Sequence, residues 1–289
     1  MKKIIIKFSG GFGNQLFQYS LAKHLELNNK FKIIPDFNFF KTYKLHKNYI
    51  KKIGFKEDEL KLYFSSSFIP NKLMPVLKLY LQFINCCKFI KENDNMKFIN
   101  LNKYHSENLY LDGYWQNIKY FSKSSQSIKY IIHNFLKKNK KKNSNIFKTK
   151  KRKNNYVMVH LRFKDYKNKE NLIKHGLLDK NYYLRSIKLI NRLKKNNKFI
   201  IFSDELKLAK KKLSFLKNKI FFDQKTNSDP ITTMYYMTKC NDFIISNSTF
   251  SWWAAYLCEN QNKNVICPLN WFASKKYKKI SYEKSWIKI

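Results

Sequence analysis

Short apolar runs alternate with amphipathic helical stretches through the second half of the chain, and this alternation constrains the fold more than any other feature. The strand candidates are Tyr156–Leu161, Lys198–Ser203, Lys219–Asp223, Asp242–Ser246 and Asn264–Cys267. The helical stretches between them are Asn181–Lys195, Glu205–Leu213, Pro230–Lys239 and Thr249–Glu259. Continuous apolar strands separated by helices predict a parallel sheet that is covered on both faces.

The first half begins with the same alternation. Lys3–Ser9 predicts a strand, Asn14–Leu27 a helix and Lys32–Pro35 a second strand. Regular structure resumes at Leu109–Phe121, which predicts a strand followed by a helix, whereas Phe39–Lys103 indicates mostly helical and irregular structure. The first half is therefore also expected to be α/β.

A lysine- and asparagine-rich segment separates the two halves. Residues 137–155 contain little beyond Ile146 and Phe147 to bury, which is typical of a solvated linker or long surface loop. We expect an N-terminal α/β domain at 1–136, the linker at 137–155 and a Rossmann-like C-terminal domain at 156–289. Two such domains would place a ligand cleft between them, at the carboxyl ends of the strands.

The polar turn after the predicted strand Asp242–Ser246 points to an anion. It contains Asn247, Ser248, Thr249, Phe250 and Ser251, and a helix follows at once. Backbone N–H groups and hydroxyls at a helix N-terminus attract phosphates. The alternative is an ordinary Ser/Thr/Asn helix cap.

A glycine-rich turn follows the first strand. Gly10, Gly11, Gly13 and Asn14 allow close approach of a ligand to the backbone at the start of a helix. The segment is neither a Walker A loop nor a complete G-x-G-x-x-G sequence. A tight strand-to-helix turn without a ligand is the alternative interpretation.

The first strand of the second half ends in His160, Arg162 and Asp165. The Arg162 guanidinium suits a diphosphate and could neutralise charge on a phosphate leaving group. Asp165 is a candidate base and His160 a second one. The alternatives are a surface Arg–Asp pair and a structural histidine.

Two further strand ends carry polar or aromatic groups. The Asp204 carboxylate, next to Ser203, could accept hydrogen bonds from a purine edge, although a helix N-cap explains it equally well. Tyr114, Trp115 and Gln116 suit the apolar face and hydroxyls of a sugar, although paired aromatics are more often packing residues.

Charge and motif content exclude several classes of function. The net charge of +40 comes almost entirely from lysine, because the chain has only four arginines. Scarce arginine speaks against a sequence-specific nucleic-acid protein, whereas the charge favours contact with anionic membrane surfaces. No His/Cys cluster, H-E-x-x-H, EF-hand or D-x-D sequence occurs, so no metal cofactor is expected. Five scattered cysteines fit free thiols in a reducing cytosol, and no membrane-spanning segment is expected.

Several segments, taken together, resemble the successive motifs of glycosyltransferase family 11, the bacterial and animal α-1,2-fucosyltransferases. They are GGFGNQLFQY from Gly10, LDGYWQNIKYF from Leu111, HLRFKDY from His160, FSDE from Phe202, SNSTFSWWAAYL from Ser246 and VICPLNWF from Val265. They occur in order along essentially the whole chain. The family sequence HxRRxDY is altered, because Phe163 replaces its second arginine and Lys164 its usual glycine.

The resemblance implies a GT-B architecture and metal-independent, inverting transfer of L-fucose from GDP-L-fucose to the 2-hydroxyl of a terminal galactose. It assigns donor binding to the Gly10–Asn14 turn, Arg162, Ser203, Asp204 and the Asn247–Ser251 turn, and the acceptor side to Tyr114, Trp115 and Gln116. A bacterial cytoplasmic location, on the inner face of the membrane, and a lipopolysaccharide-type acceptor are further expectations. Two alternatives stay open: a fucosyltransferase of α-1,6 or protein O-linked specificity, and a non-catalytic polyanion- or membrane-binding protein.

Overall fold

A computed structural model describes residues 2–29, 31–43, 45–55, 87–92, 97–104, 107–141, 154–164, 172–173, 175–222, 229–274 and 280–289. The chain divides into two compact units, residues 1–131 and 132–289. Most of the predicted linker, at 142–153, lies outside the described residues.

The N-terminal unit contains a four-stranded parallel sheet. Its strands are β1 (Lys3–Lys7), β2 (Lys32–Asp36), β3 (Lys88–Lys91) and β4 (Leu109–Asp112), in the order β2-β1-β4-β3. Its helices are α1 (Phe12–Asn29), α2 (Phe39–Thr42) and the start of α3 (Ser125–Asn139), with 3-10 turns at Ile50–Ile53, Leu101–Tyr104, Ile118–Tyr120 and Ser122–Ser124. The predicted strands and first helix are confirmed to within a few residues.

The helix expected before Phe121 is wrong. That segment contains one 3-10 turn, at Ile118–Tyr120; a second follows at Ser122–Ser124, and the regular helix α3 begins only at Ser125. Buried Ile128, Ile132 and Leu136 repeat every four residues in α3, so this later segment has the apolar face that a helix needs. Strand β3 was also missed, because only Ile90 of its four residues is fully buried.

The C-terminal unit contains a six-stranded parallel sheet in the order β10-β9-β8-β5-β6-β7. Its strands are β5 (Asn155–Leu161), β6 (Asn197–Ser203), β7 (Lys219–Phe221), β8 (Asp242–Ile244), β9 (Val265–Cys267) and β10 (Ile287–Lys288). Its helices are α4 (Lys180–Leu193), α5 (Leu206–Lys212), α6 (Pro230–Met237) and α7 (Thr249–Leu257). Each predicted strand and helix of this half has a counterpart among the described residues, whereas strand β10 was not predicted.

Helix caps and the core fix this arrangement. Asp179 accepts the Tyr182 N–H at 2.7 Å to begin α4, and Asp229 accepts the Thr232 N–H at 3.0 Å to begin α6. The inner faces of α4 and α5 pack on Val157, Val159 and other apolar residues of β5 and β6. The two helices therefore cover the same face of the sheet.

The strand order of this unit also indicates where a ligand binds. The chain passes from β5 to β6 on one side, and β8 lies on the other side of β5. Such a reversal opens a crevice at the carboxyl ends of β5 and β8, where open α/β sheets bind their ligands. In the part of the chain that the structure describes, no helix is long and apolar enough to cross a membrane.

Candidate functional site

A buried histidine–serine pair joins the ends of β5 and β8 at this crevice. His160 Nδ1 lies 2.8 Å from Ser246 Oγ, and the His160 ring is only 4% exposed. The Tyr183 hydroxyl donates to the His160 carbonyl at 3.2 Å, and the Phe250 ring centroid is 6.1 Å from that of His160. The polar turn before α7 is thus fixed directly against the end of β5.

His160 is held in its neutral form. Burial lowers its pKa to about 3, and the nearby Arg162 charge adds to the effect. A base with so low a pKa takes up a proton poorly at neutral pH. The geometry therefore favours the structural interpretation of His160 over a role as catalytic base.

This low pKa predicts acid sensitivity. Between about pH 3 and 6.5 the unfolded chain binds a proton at His160 that the folded protein does not, so stability falls as the pH falls. From pH 7 to pH 5 we expect this group to remove about 2 kcal/mol from the free energy of unfolding. His160→Gln should lose that part of the pH dependence, measured by urea unfolding at both pH values. An unchanged difference between the two pH values would contradict the assignment.

Arg162 is oriented by a carboxylate from the next strand. Its Nε lies 3.2 Å from Asp204 Oδ2, and its side chain is 24% exposed. Asp204 also accepts the N–H groups of Phe163 at 2.8 Å and Lys164 at 3.0 Å. One carboxylate thus fixes the turn after β5 and the guanidinium together.

These contacts revise the expectations for Ser203 and Asp204. The N-cap of α5 is Glu205, which makes no side-chain cap bond, so Asp204 is not a helix cap. Both Asp204 oxygens accept bonds from the end of β5, which favours a positioning role over contact with a purine. Ser203 is fully buried, and its hydroxyl oxygen accepts the Glu205 N–H at 3.1 Å.

Phe163, which occupies the position of the second arginine in the resembled motif, belongs to the hydrophobic core. It is 7% exposed and packs with Leu161 and Tyr183, and the Lys212 amine lies 5.3 Å from its ring centroid. This side chain therefore points away from the crevice. Arg162 is the motif arginine whose side chain reaches the solvent-accessible end of β5.

Asn247 stabilises the loops around the crevice. Its side chain is buried, and Nδ2 lies within hydrogen-bond distance of the carbonyls of His175, Gly176 and Trp271, at 2.9, 3.2 and 3.3 Å. The amide hydrogens are thereby directed at protein carbonyls rather than at a ligand. The sequence analysis predicted donor binding, with a helix cap as the alternative, and did not predict these bonds to loop carbonyls.

The first turn of α7 and its N-cap contain both a buried, hydrogen-bonded side chain and partly exposed ones. Ser251 is buried, and its hydroxyl donates to the carbonyl of Ser248 at 3.1 Å. Ser248, Thr249 and Phe250 are half-buried, and the Ser248 side chain makes no cap bond to the helix. The start of this nine-residue helix is therefore the part of the motif suited to an anion. Asp165 lies outside the described residues.

The glycine-rich turn of the N-terminal unit is closely packed. Gly10 has a φ of +74°, and a Cβ there would lie 2.8 Å from Asn14 Nδ2 and 3.1 Å from Tyr114 Cε1. Only glycine fits both that backbone angle and that space. Gly11 faces the His46 ring, Gly13 is buried within the first turn of α1, and Gln116 donates to Asn14 Oδ1 at 2.9 Å.

Two buried glutamines of α1 hold this turn and were not foreseen as functional residues. Gln15 donates to the carbonyls of Gly10 and Lys47, both at 2.9 Å. Gln18 accepts the Ser9 N–H at 3.0 Å and donates to the Gly113 carbonyl at 2.9 Å. The sequence feature that could have indicated them is a pair of glutamines spaced three residues apart on the apolar face of a predicted helix.

Glu92 organises the predicted acceptor-side residues. Its Oε2 accepts the N–H groups of Tyr114 at 2.8 Å and Trp115 at 2.7 Å, and burial raises its pKa. Trp115 has a φ of +57° and a fully buried indole, so the packing interpretation holds for this residue. Tyr114 is 37% exposed, whereas Gln116 is buried.

Comparison with known proteins identifies the family. A model described as "Glycosyl transferase family 11" matches residues 2–289. The chain belongs to glycosyl transferase family 11. It is therefore a glycosyltransferase that acts on glycans, and each of its two units has an α/β fold with a parallel sheet.

Two Escherichia coli relatives match nearly the whole family 11 chain. An alpha-1,2-colitosyltransferase is 29% identical, over 94% of this chain and 93% of the relative. The O-antigen biosynthesis glycosyltransferase WbnK is 26% identical, over 97% of this chain and 98% of WbnK.

Solved structures show a more distant similarity. NodZ alpha-1,6-fucosyltransferase soaked with GDP-fucose is 11% identical, over 89% of this chain and 93% of NodZ, with a TM-score of 0.46. Arabidopsis thaliana FUT1 in complex with GDP is 9% identical, over 92% of this chain and 70% of FUT1, with a TM-score of 0.49. The family assignment therefore depends on the sequence match.

Proposed function

We propose that this family 11 enzyme transfers L-fucose from GDP-L-fucose to the 2-hydroxyl of a terminal galactose in a cell-surface glycan, with inversion and without a metal. The observation that carries the proposal is Arg162. Asp204 fixes Arg162 at the carboxyl end of β5. The Arg162 charge helps to lower the pKa of His160, and His160 is hydrogen-bonded to Ser246 in the turn before α7. A guanidinium and a helix N-terminus at one sheet edge suit a nucleotide diphosphate.

The proposed reaction breaks the bond between the sugar C1 and the diphosphate oxygen, which keeps the electron pair. The galactose 2-hydroxyl oxygen forms a bond to C1 from the opposite face and loses its proton to a base or to solvent. Arg162 and the backbone N–H groups at the start of α7 stabilise the charge that builds on the diphosphate. We retain Asp165 as the candidate base.

The N-terminal unit supplies the proposed sugar-facing groups. Within this unit, the Gly10–Asn14 turn has backbone groups suited to a sugar-phosphate, and Tyr114 has a partly exposed aromatic ring suited to a sugar. Gln116 acts by holding Asn14. Glu92 positions Tyr114 through its backbone N–H.

The relatives support an acceptor in O-antigen-type polysaccharide and suggest a second donor. WbnK is named for O-antigen biosynthesis, and the alpha-1,2-colitosyltransferase matches almost the full chain. Transfer of colitose from GDP-colitose is therefore the second candidate, with the same α-1,2 linkage.

A single assay tests the linkage, the donor and the metal independence. Purified protein is incubated with lactose, excess EDTA and either GDP-fucose or GDP-colitose, and NMR identifies the product linkage. We expect α-1,2-linked product from GDP-fucose and none when a 2-deoxygalactoside replaces lactose. Transfer to the 2-deoxy acceptor, an α-1,6-linked product or loss of transfer in EDTA would contradict the proposal. Transfer from GDP-colitose but not from GDP-fucose would make GDP-colitose the donor.

A further inference from the structure

One outer surface of the C-terminal unit concentrates positive charge. Between residues 180 and 219 the sequence contains thirteen Lys or Arg and only two carboxylate residues, Asp204 and Glu205. Asp204 is already paired with Arg162 at the carboxyl edge of the sheet. The basic residues outside the strands belong to α4, α5 and the turns that follow them.

These two helices form a continuous surface, which we call the basic face. Their inner sides share one hydrophobic core. The amine of Lys180, the first residue of α4, lies 5.4 Å from the ring centroid of Phe215, which follows α5, and Lys212 of α5 donates to the carbonyl of Leu178 at 2.6 Å. The two helices are therefore neighbours on one face of the sheet, and their exposed basic residues lie on the side opposite the shared core.

The basic residues of α4 follow a helical stripe. Arg185, Lys188 and Arg192 are all exposed and are spaced three and four residues apart, and exposed Lys195 continues beyond the helix end. Residues at this spacing lie on one side of a helix.

Exposed leucines lie among these charges. Leu184 is 38% exposed, and Leu193 and Leu208 are each 45% exposed. Leu184 lies one turn before Lys188, so an apolar side chain adjoins the basic stripe. Basic residues with interspersed large apolar side chains are typical of surfaces that bind in the bilayer interface.

A cavity of about 900 Å³ adjoins α4 at the amino-terminal ends of β6 and β7, opposite the donor crevice. Among the described residues that line it are five lysines and no carboxylate. These lysines are Lys194, Lys195, Lys198, Lys217 and Lys219. The cavity thus extends the basic face with a recess of matching sign for phosphate-bearing headgroups.

We propose that the basic face is the surface by which this protein docks on an anionic phospholipid bilayer. Charge complementarity selects an anionic partner, and the leucines select lipid over nucleic acid, because a phosphate backbone offers them no apolar environment. The proposed donor-binding groups of this unit lie at the other, carboxyl ends of the strands. The inference does not depend on which sugar is transferred.

Sedimentation of the full-length protein with vesicles tests the proposal. We expect binding to vesicles of phosphatidylcholine mixed with phosphatidylglycerol, loss of binding in high salt, and little binding to phosphatidylcholine alone. Lys188→Gln/Arg192→Gln/Lys195→Gln should weaken binding by about tenfold or more, since each basic residue contributes about fivefold at such a surface.

A charge-matched control separates the basic face from general positive charge. Lys52, Lys97 and Lys103 are exposed lysines of the N-terminal unit, and changing all three to Gln removes the same net charge. We expect this variant to bind within about twofold of the wild type. Equal loss in both triple variants would overturn the proposal.

A third variant tests the lipid itself. Leu184→Ser/Leu193→Ser/Leu208→Ser keeps the charge, and we expect it to weaken vesicle binding by about threefold or more. Unchanged vesicle binding by this variant would show that the leucines do not select lipid and would overturn the proposal. Binding of the wild type to single-stranded DNA that exceeds its vesicle binding at the same salt concentration would assign the face to nucleic acid and would also overturn it. Unchanged sugar transfer to soluble lactose serves as the check that each variant is folded.

Discussion

Arg162→Ala is expected to lower kcat for sugar transfer by about a hundredfold or more, the scale for losing one preorganised group that stabilises charge in the transition state. The wild-type guanidinium is oriented before substrate binds, because Asp204 holds its Nε. Alanine removes the charge and leaves the β5 turn in place, since Asp204 still accepts the N–H groups of Phe163 and Lys164. Steady-state kinetics with GDP-fucose and lactose measure the effect.

Two further variants show whether the loss reflects orientation or charge. Arg185→Ala removes an exposed arginine from the outer side of α4 in the same unit and should leave kcat unchanged. Asp204→Asn keeps Arg162 but weakens its partner, so we expect an intermediate loss of about tenfold. Near-wild-type turnover of Arg162→Ala would remove Arg162 from the donor site.

Asn247→Asp is expected to lower the free energy of unfolding by about 3 kcal/mol or more, because it replaces a buried donor with an acceptor. The Nδ2 group of Asn247 faces three carbonyl oxygens, and a carboxylate oxygen in its place would repel all three. Urea unfolding followed by tryptophan fluorescence measures the loss, since four of the five tryptophans lie in the C-terminal unit.

The free energy of unfolding of Asn247→Asp should rise as the pH falls. Burial among carbonyls raises the pKa of the new carboxyl group, and the protonated acid can donate one hydrogen bond, so part of the stability should return as the pH falls. Asn191→Asp is the matched control, because exposed Asn191 accepts a bond from Asn197 that an aspartate also accepts. Equal stability of both variants would refute the role of Asn247.

The hydrophobic pattern of the sequence placed strands and helices more completely in the C-terminal half than in the N-terminal half. The C-terminal strands β5, β6, β8 and β9 are mostly buried and appear as continuous apolar runs, so their pattern placed them, whereas the short edge strand β10 is only partly buried and was not predicted. Strand β3 lies at the sheet edge with one buried residue of four, which leaves no apolar run to detect. The turn at Trp115 broke the expected helix because its left-handed backbone depends on Glu92, twenty-three residues earlier.

The sequence by itself determined the α/β class, the strand ends that carry polar groups and the family, because these depend on local periodicity and on motifs that are continuous along the chain. Only the tertiary structure decided what each polar side chain does. Asp204 orients Arg162, Asn247 holds the loops at His175–Gly176 and Trp271, His160 is neutral in the interior and Phe163 belongs to the core. The physical reason is that each of these roles depends on burial and on partners brought together by strand pairing, and neither is encoded in neighbouring residues.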